Sequence, residues 1–237
     1  MNMEKVYIDE NTWFIDNFLT QEELDWFKPW MDDPKDWYTT MRSPYKNILN
    51  KFIGNVNKYD ENGDLIFPTG DNEFFDLPIF SKEGGIWERL HKVLPPHYRQ
   101  HATLQTFKYM TDNEIQENLT EETRMHLRGF NENGTPSMTE HPVDFAMWWH
   151  EDTNPNQPTF NMSFSLYLND DFEGGELVFK DKPITIKPKA GTLVGIPTIP
   201  GYTHKVNKVL GPNSRHTLYG NSWNDPQNVP VSTAEDC

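Results

Sequence analysis

The chain has 237 residues, of which 35% are hydrophobic and 14% aromatic, and its formal net charge at pH 7 is −15. That length fits one large domain, the aromatic content excludes a disordered chain, and the charge repels phosphate backbones, so no nucleic acid is expected as a partner. No apolar run nears the roughly 18 residues that span a bilayer, the MNMEKVYIDE terminus lacks the regions of a signal peptide, and Cys237 has no second cysteine to pair with. The expectation is an intracellular, cytoplasmic protein with no membrane partner.

The opening reads as a strand and then a helix. Trp13, Phe14 and Ile15 form a β-prone run that Asp16-Asn17 breaks. Thr20 followed by Glu23 is a capping box, and Leu19 can staple onto Leu24 across it. Leu24, Phe27 and Met31 recur at helical spacing, with Pro29 expected to kink or end the helix. Residues 32–82, rich in Asp, Asn, Gly and Pro, read as loops tied down by aromatic packing. Gly85 to Leu94 reads as a second helix, with Ile86, Leu90, Val93 and Leu94 on one face and Pro95-Pro96 as the stop.

From His101 onward the period changes to that of strands. Ala102 to Tyr109 is β-prone, and Asn161 to Leu168 alternates, with Met162, Phe164, Leu166 and Leu168 on one side. Asn169-Asp170-Asp171 and Gly174-Gly175 make a turn into Glu176–Phe179. Shorter strands follow at Ile184–Ile186, Leu193–Ile196 and His216–Trp223. The expected class is α+β, with a β-sandwich or jelly-roll core of strands and supporting helices at the amino-terminal end. The chain reads as a single domain over 1–237, with support in 1–100 and the core in 101–225. The polar stretch at about 110–147 is too long for an ordinary connection and is expected to be a flap, built from turn-formers such as Thr111-Asp112-Asn113. Its basic residues Arg124, His126 and Arg128 could meet an acidic substrate or pair with Glu121 and Glu122.

Chemistry concentrates at His150-Glu151-Asp152. In an extended segment His150 and Asp152 project from one face, close enough to share an ion. Trp148 and Trp149 precede them and would set the histidine at the rim of an apolar wall. Gly191-Thr192-Leu193-Val194 leads through Pro197 and Pro200 to His204, which a double-stranded barrel can bring opposite His150. Two imidazoles and one carboxylate leave open positions that suit non-haem Fe(II), although zinc would accept the same ligands. Eleven residues beyond His204, Arg215 shares a strand face with Thr217, Tyr219, Asn221 and Trp223. An inward-facing arginine needs an anion, and a dicarboxylate held by the guanidinium fork would supply one.

Together these residues resemble the 2-oxoglutarate and Fe(II)-dependent dioxygenases, and most closely the prolyl 4-hydroxylase-like branch. Phe14-Ile15-Asp16-Asn17-Phe18-Leu19 and the Glu-rich helix after it look like that branch's opening. Gln105-Thr106-Phe107-Lys108-Tyr109 looks like the strand that often carries a tyrosine near the cosubstrate. Tyr167-Leu168-Asn169-Asp170-Asp171 with Gly174-Gly175-Glu176-Leu177-Val178-Phe179, then Lys189 to Val194, then His204-Lys205-Val206, Val209, Gly211 and Arg215, follow the branch's remaining strands. The likeness covers most of 101–223. Two features depart from it: about forty residues separate Tyr109 from the metal motif, and the spacing from His204 to Arg215 is slightly long.

The resemblance implies a double-stranded β-helix, or jelly roll. It implies Fe(II) on His150, Asp152 and His204, and 2-oxoglutarate whose distal carboxylate meets Arg215 with help from a hydroxyl such as Tyr109 or Thr217. With O2, and with ascorbate as a further candidate, it implies hydroxylation of an unactivated C–H bond. A prolyl or other residue of a peptide or protein is the first substrate class, with a small molecule or free amino acid as the alternative. Asp152 speaks against a halogenase, and Asn221, where a second arginine would be needed, against a nucleic-acid demethylase. From another class, a jelly-roll binding module without turnover would explain the strands but not the two His, one Asp and one Arg. Asn118-Leu-Thr120, Asn133-Gly-Thr135 and Asn161-Met-Ser163 fit a glycosylation sequon but lack a secretory signal. Asp170, Asp171 and Glu173 read as a hairpin turn rather than a calcium site.

Overall fold

The computed structural model describes residues 3–33, 37–39, 47–51, 58–59, 65–66, 77–94, 102–118, 145–152 and 160–223. With elements numbered along the chain, a large antiparallel sheet runs β1 (Val6–Tyr7), β2 (Trp13–Ile15), β13 (Leu193–Pro197), β9 (Phe160–Tyr167), β16 (Arg215–Trp223), β7 (Ala102–Phe107), β4 (Ile48–Lys51) and β3 (Tyr38–Thr39). A second sheet runs β12 (Thr185–Ile186), β11 (Leu177–Phe179), β14 (His204–Asn207) and β8 (Phe145–His150). The pairs β5 (Lys58–Tyr59) with β6 (Leu65–Ile66), and β10 (Glu173–Gly174) with β15 (Val209–Leu210), stand apart from both. The helices are α1 (Gln21–Asp32), α2 (Pro78–Ser81), α3 (Ile86–Val93) and α4 (Asp112–Asn118).

Strand alternation divides the large sheet into two different faces. On one face the register lines up Leu104, Leu218, Leu166, Leu193 and Ile15 across five strands. All five are buried and join Phe27, Phe80, Trp87 and Leu90 of α1, α2 and α3 in one core. Each such side chain contributes about 1.5–3 kcal/mol through burial. The other face looks toward the second sheet, and a second core of Ile48, Phe107, Tyr167, Leu177, Phe179, Val194, Ile196 and Val206 fills the gap. Gly195 permits the close approach of β13 and β2, because a Cβ there would lie 2.4 Å from Trp13 Cζ2. The jelly-roll class read from the strand pattern is the observed fold.

The amino-terminal helix begins with the expected reciprocal cap. Glu23 N donates to Thr20 Oγ1 and Thr20 N donates to Glu23 Oε2, an arrangement worth roughly 1 kcal/mol. Pro29 does not end the helix, which continues to Asp32 with Asp33 N bonded to the Pro29 carbonyl. A proline forfeits its amide bond and crowds the carbonyl four residues before it, a cost borne here where Phe27, fully buried, anchors the segment. Residues 32–82 hold more than loops, since β3 and β4 extend the large sheet through pairing of β4 with β7. Thr111-Asp112-Asn113 is not a turn but the start of α4, capped by Thr111 Oγ1 and Glu114 in the manner of Thr20 and Glu23. That helix is fixed by buried Ile115 and by the ion pair of Asp112 with Lys208. Residues 119–144, most of the expected flap with Arg124, His126 and Arg128, lie outside the described residues. Asn133-Gly-Thr135 lies there too, as do His101, Pro95-Pro96 and Thr120.

Candidate active site

The second sheet carries the metal-ligating residue types. β8 ends at His150, β14 begins at His204, and the two are directly paired in register. Asp152 follows β8 by two residues. His150 Nε2 lies 3.5 Å from Asp152 Oδ1, and His204 Nε2 lies 3.8 Å from Asp152 Oδ2. One donor atom from each residue falls within 4.8 Å of the other two. Donors about 2.1 Å from a shared ion and roughly at right angles stand about 3 Å apart, so a small inward adjustment would close the set on one ion. The imidazole rings are 4.4 Å apart between centroids. His204 Nδ1 lies 2.9 Å from the Tyr202 carbonyl, which can only accept, so Nδ1 carries the proton and Nε2 offers its lone pair to the site.

Glu151, between the two ligand positions, points the other way. Its Oε1 accepts from Gly201 N at 3.1 Å and Thr203 Oγ1 at 2.8 Å. It thereby ties the His150-x-Asp152 segment to the turn that delivers His204. Trp149 lies under the Lys205 ammonium, 4.7 Å from the ring centroid, and is half-buried.

The large sheet supplies the polar counterpart. Arg215 is 2% exposed and lies against Phe107 and Tyr167, its guanidinium carbon 4.3 and 5.1 Å from their ring centroids. Thr217 pairs with Tyr167 across β16 and β9, so both share the inner face with Arg215. Burial pushes the Arg215 guanidinium below its ordinary pKa, while the neighbouring Tyr167 hydroxyl acts in the opposite direction. Yet Arg215 Nε and Nη1, Tyr167 Oη and Thr217 Oγ1 are all buried without a well-formed hydrogen bond to any described residue. A buried guanidinium with unused donors near two hydroxyls has the chemistry to receive an anion. Gly175, at φ +66°, allows this packing: a Cβ there would lie 3.1 Å from Arg215 Cδ and 3.0 Å from the Phe172 ring.

β7 ends at Phe107, and Tyr109 beyond it is 37% exposed. The aromatic hydroxyl beside Arg215 is that of Tyr167, which sequence reasoning missed. The available signal was its parity: in 161–168 it shares the polar side with Ser163 and Ser165, opposite the apolar stripe. Of Asn221 and Trp223, only the strand positions are described. Asp170 and Asp171 are occupied within the hairpin, accepting from Ala190 N, Asn169 Nδ2 and Asn213 Nδ2.

Residues 137–223, which include His150, Asp152, His204 and Arg215, match the family described as the 2OG-Fe(II) oxygenase superfamily. The likeness read from the sequence holds. Oxygenases of this family are Fe(II)-, 2-oxoglutarate- and O2-dependent oxidoreductases. A prolyl-4-hydroxylase from Pseudomonas putida is similar at 15% identity and TM-score 0.53, over 91% of this chain and 93% of that one. A 2OG-Fe(II) oxygenase family oxidoreductase from Burkholderia pseudomallei is similar at 13% and 0.53, over 91% and 86%. A Trichoplax adhaerens prolyl hydroxylase, in complex with a peptide fragment of the hypoxia inducible factor oxygen degradation domain, gives 12% and 0.52, over 90% and 84%. At such identities these likenesses concern the oxygenase fold. No curated protein sequence matches the chain. Among the described residues, no helix is long and apolar enough to cross a membrane.

Proposed function

We propose that this chain is an Fe(II)- and 2-oxoglutarate-dependent hydroxylase. In this reading His150, Asp152 and His204 hold the iron, and Arg215, with Tyr167 and Thr217, holds the distal carboxylate of 2-oxoglutarate. One observation carries it: two imidazoles and a carboxylate cluster beside the same core as a buried guanidinium with two unpartnered nitrogens, since Phe179 lies against His204 and Phe107 and Tyr167 lie against Arg215. The donor set fits Fe(II), because two neutral nitrogens and one carboxylate leave room for further ligands. The orphaned donors fit a carboxylate, which would complete the hydrogen bonds that the protein leaves unmade.

When bound, the iron supplies oxidative decarboxylation of 2-oxoglutarate coupled to hydroxylation of an unactivated C–H bond. The chain's own residues bind and orient. The Tyr202 carbonyl keeps the His204 proton on Nδ1, so Nε2 remains a ligand. Glu151 fixes the spacing between the two ligand-bearing segments. Arg215 grips the cosubstrate at one end, and Phe107, Phe172 and Tyr167 around it keep water from the ion pair, which strengthens the grip.

The substrate we propose is a prolyl or other residue within a peptide. Support comes from fold neighbours that are prolyl hydroxylases, one of them holding a peptide, an argument from analogy. The test is anaerobic titration with Fe(II) and 2-oxoglutarate, then oxygen-dependent succinate release across proline-containing peptides, free amino acids and small molecules, with ascorbate to keep the iron reduced. Peptide-dependent succinate with a mass gain of one oxygen on proline is expected. Stimulation by a free amino acid alone would replace the substrate class and leave the reaction type standing, whereas failure to bind Fe(II) would remove both.

A further inference from the structure

We propose that Tyr202 is a positioning residue for His204, locked by the amino-terminal loop Asp9–Thr12, so that the start of the chain braces the candidate metal centre. The proposal rests on the iron-site reading above. The His204 ring cannot point freely: its Nδ1–H is held by the Tyr202 carbonyl at 2.9 Å, so the orientation of the Tyr202 peptide sets the direction of Nε2. That peptide is fixed in turn by what grips the Tyr202 side chain.

Tyr202 is buried, with its ring edge-on to Phe179 at 6.1 Å, and Phe179 lies against His204 at 5.6 Å. Its hydroxyl accepts from Asn11 Nδ2 at 2.9 Å. The Lys182 ammonium sits 4.1 Å from the centre of the same ring and 3.1 Å from Asp9 Oδ2. Asp9 is therefore the hub of the loop, because its Oδ1 accepts from Asn11 N at 2.9 Å and from Thr12 N at 2.6 Å. Burial raises the pKa of the Asp9 carboxyl, but these amides and Lys182 outweigh it and hold the group at about 2, so the hub stays ionised at any ordinary pH. Thr12 leads directly into Trp13 of β2, which is fixed in the large sheet against β13. On the opposite side, Glu151 holds the residues flanking Tyr202 at Gly201 N and Thr203 Oγ1.

The turn that delivers His204 is thus gripped from two directions. Glu151 belongs to the His150-x-Asp152 segment itself and couples the ligands to each other. Asn11, Asp9 and Lys182 come from outside the site and fix the turn against the body of the protein. A phenylalanine would fill the same space as Tyr202, so the hydroxyl has no packing role. Its partners are Asn11 Nδ2 and the Lys182 ammonium, neither of them among the ligating residues.

The probe is Co(II), titrated into the metal-free full chain and followed by its visible absorption, for wild type, Tyr202→Phe, Asn11→Ala and the pair together. Each single variant is expected to weaken Co(II) binding about three- to tenfold and to shift the visible band of the bound ion. The double variant should be no worse than the weaker single one, because both remove the same hydrogen bond. The thermal midpoint of the metal-free protein, measured in parallel, separates positioning from packing. A lowered midpoint with wild-type Co(II) affinity and spectrum would overturn the proposal, as would no change in any readout. Should Tyr202→Phe fail to fold, Asn11→Ala decides alone, since it alters a partly exposed loop residue. If His204→Ala binds Co(II) like wild type, the iron-site reading itself fails and takes the proposal with it.

Discussion

Two arginines are buried on opposite faces of the large sheet, and they are treated differently. Arg89, on the helix-packed face, gives Nη2 to Glu23 at 2.6 Å and Nη1 to the Phe18 carbonyl at 2.9 Å. Glu23 also closes the cap of α1, so one carboxylate ties two helices and a loop together. Arg215, on the inner face, has two aromatic rings for walls and two nitrogens with no protein partner among the described residues. Arg89 is a structural ion whose charge is paired by a carboxylate of the folded chain. Arg215 has no such carboxylate partner among the described residues. Neighbouring residues of β16 repeat the contrast at single-residue spacing, with Leu218 packed among leucines and Thr217 buried with an unused hydroxyl. Both faces bury apolar side chains, but the buried polar atoms left without partners on β16, those of Arg215 and Thr217, lie on the inner face.

The largest expected effect tests whether the inner face is functional at all. His204→Ala should abolish metal retention and turnover together, with little loss of thermal stability in the metal-free protein. Iron content after desalting and succinate release are the measurements, and full Fe(II) retention by the variant would sink the triad.

Next in size is a direct exchange of the two arginines' fates. Arg89→Met leaves Glu23 buried without its cation and should destabilise the protein by about 3–5 kcal/mol in urea denaturation. Arg215→Met removes a buried, under-bonded charge, so stability should be unchanged or rise by up to about 2 kcal/mol. Equal losses would erase the distinction between the faces. Arg215→Lys sharpens it further: the charge stays, but the two-pronged grip on a carboxylate goes. The apparent affinity for 2-oxoglutarate should fall about 10- to 100-fold, equivalent to about 1.4–2.8 kcal/mol, while Fe(II) binding persists. Unchanged cosubstrate affinity would mean that another cation holds the distal carboxylate.

Where local chemistry decides a feature, it was legible in the sequence. Thr20 and Glu23 announce a cap, Gly85 to Leu94 an amphipathic helix, and Met162 to Leu168 an alternating strand. The same Thr-x-x-Glu signal at Thr111 and Glu114 was equally readable, but the polar residues around it read as a turn. Features set by distant pairing were not legible. β4 is a four-residue strand inside a polar stretch, and it exists because Lys51 and Leu104 pair across more than fifty intervening residues. The choice between Tyr109 and Tyr167 as neighbour of Arg215 likewise depends on where β7 ends and on the Thr217–Tyr167 register. His150-x-Asp152, His204 and Arg215 stood out because chemistry restricts which residues can do such work, even where the strand positions are set by long-range pairing.

The smallest expected effect lies one residue from Arg215, on the structural face. His216 Nδ1 meets Thr106 Oγ1 at 2.7 Å, and its ring lies near Trp37. Burial lowers its pKa from 6.5 to about 4, although Asp171 and Asp32 pull the other way. The folded state therefore keeps this histidine neutral where the unfolded chain would protonate it. Because the unfolded state binds more protons between these two values, the stabilisation is complete above pH 6.5 and is lost as pH falls toward 4. Between pH 7 and pH 5.5 the loss attributable to His216 is about 1.2 kcal/mol. Carboxylates titrate in the lower part of the same range, so the test is a difference. Urea denaturation of wild type and His216→Gln at both pH values should show a shallower decline in the variant, since the carboxylate contribution is common to both. Parallel declines would show that His216 takes up its proton in the folded protein, and that the outer face next to Arg215 is less dry than its packing implies.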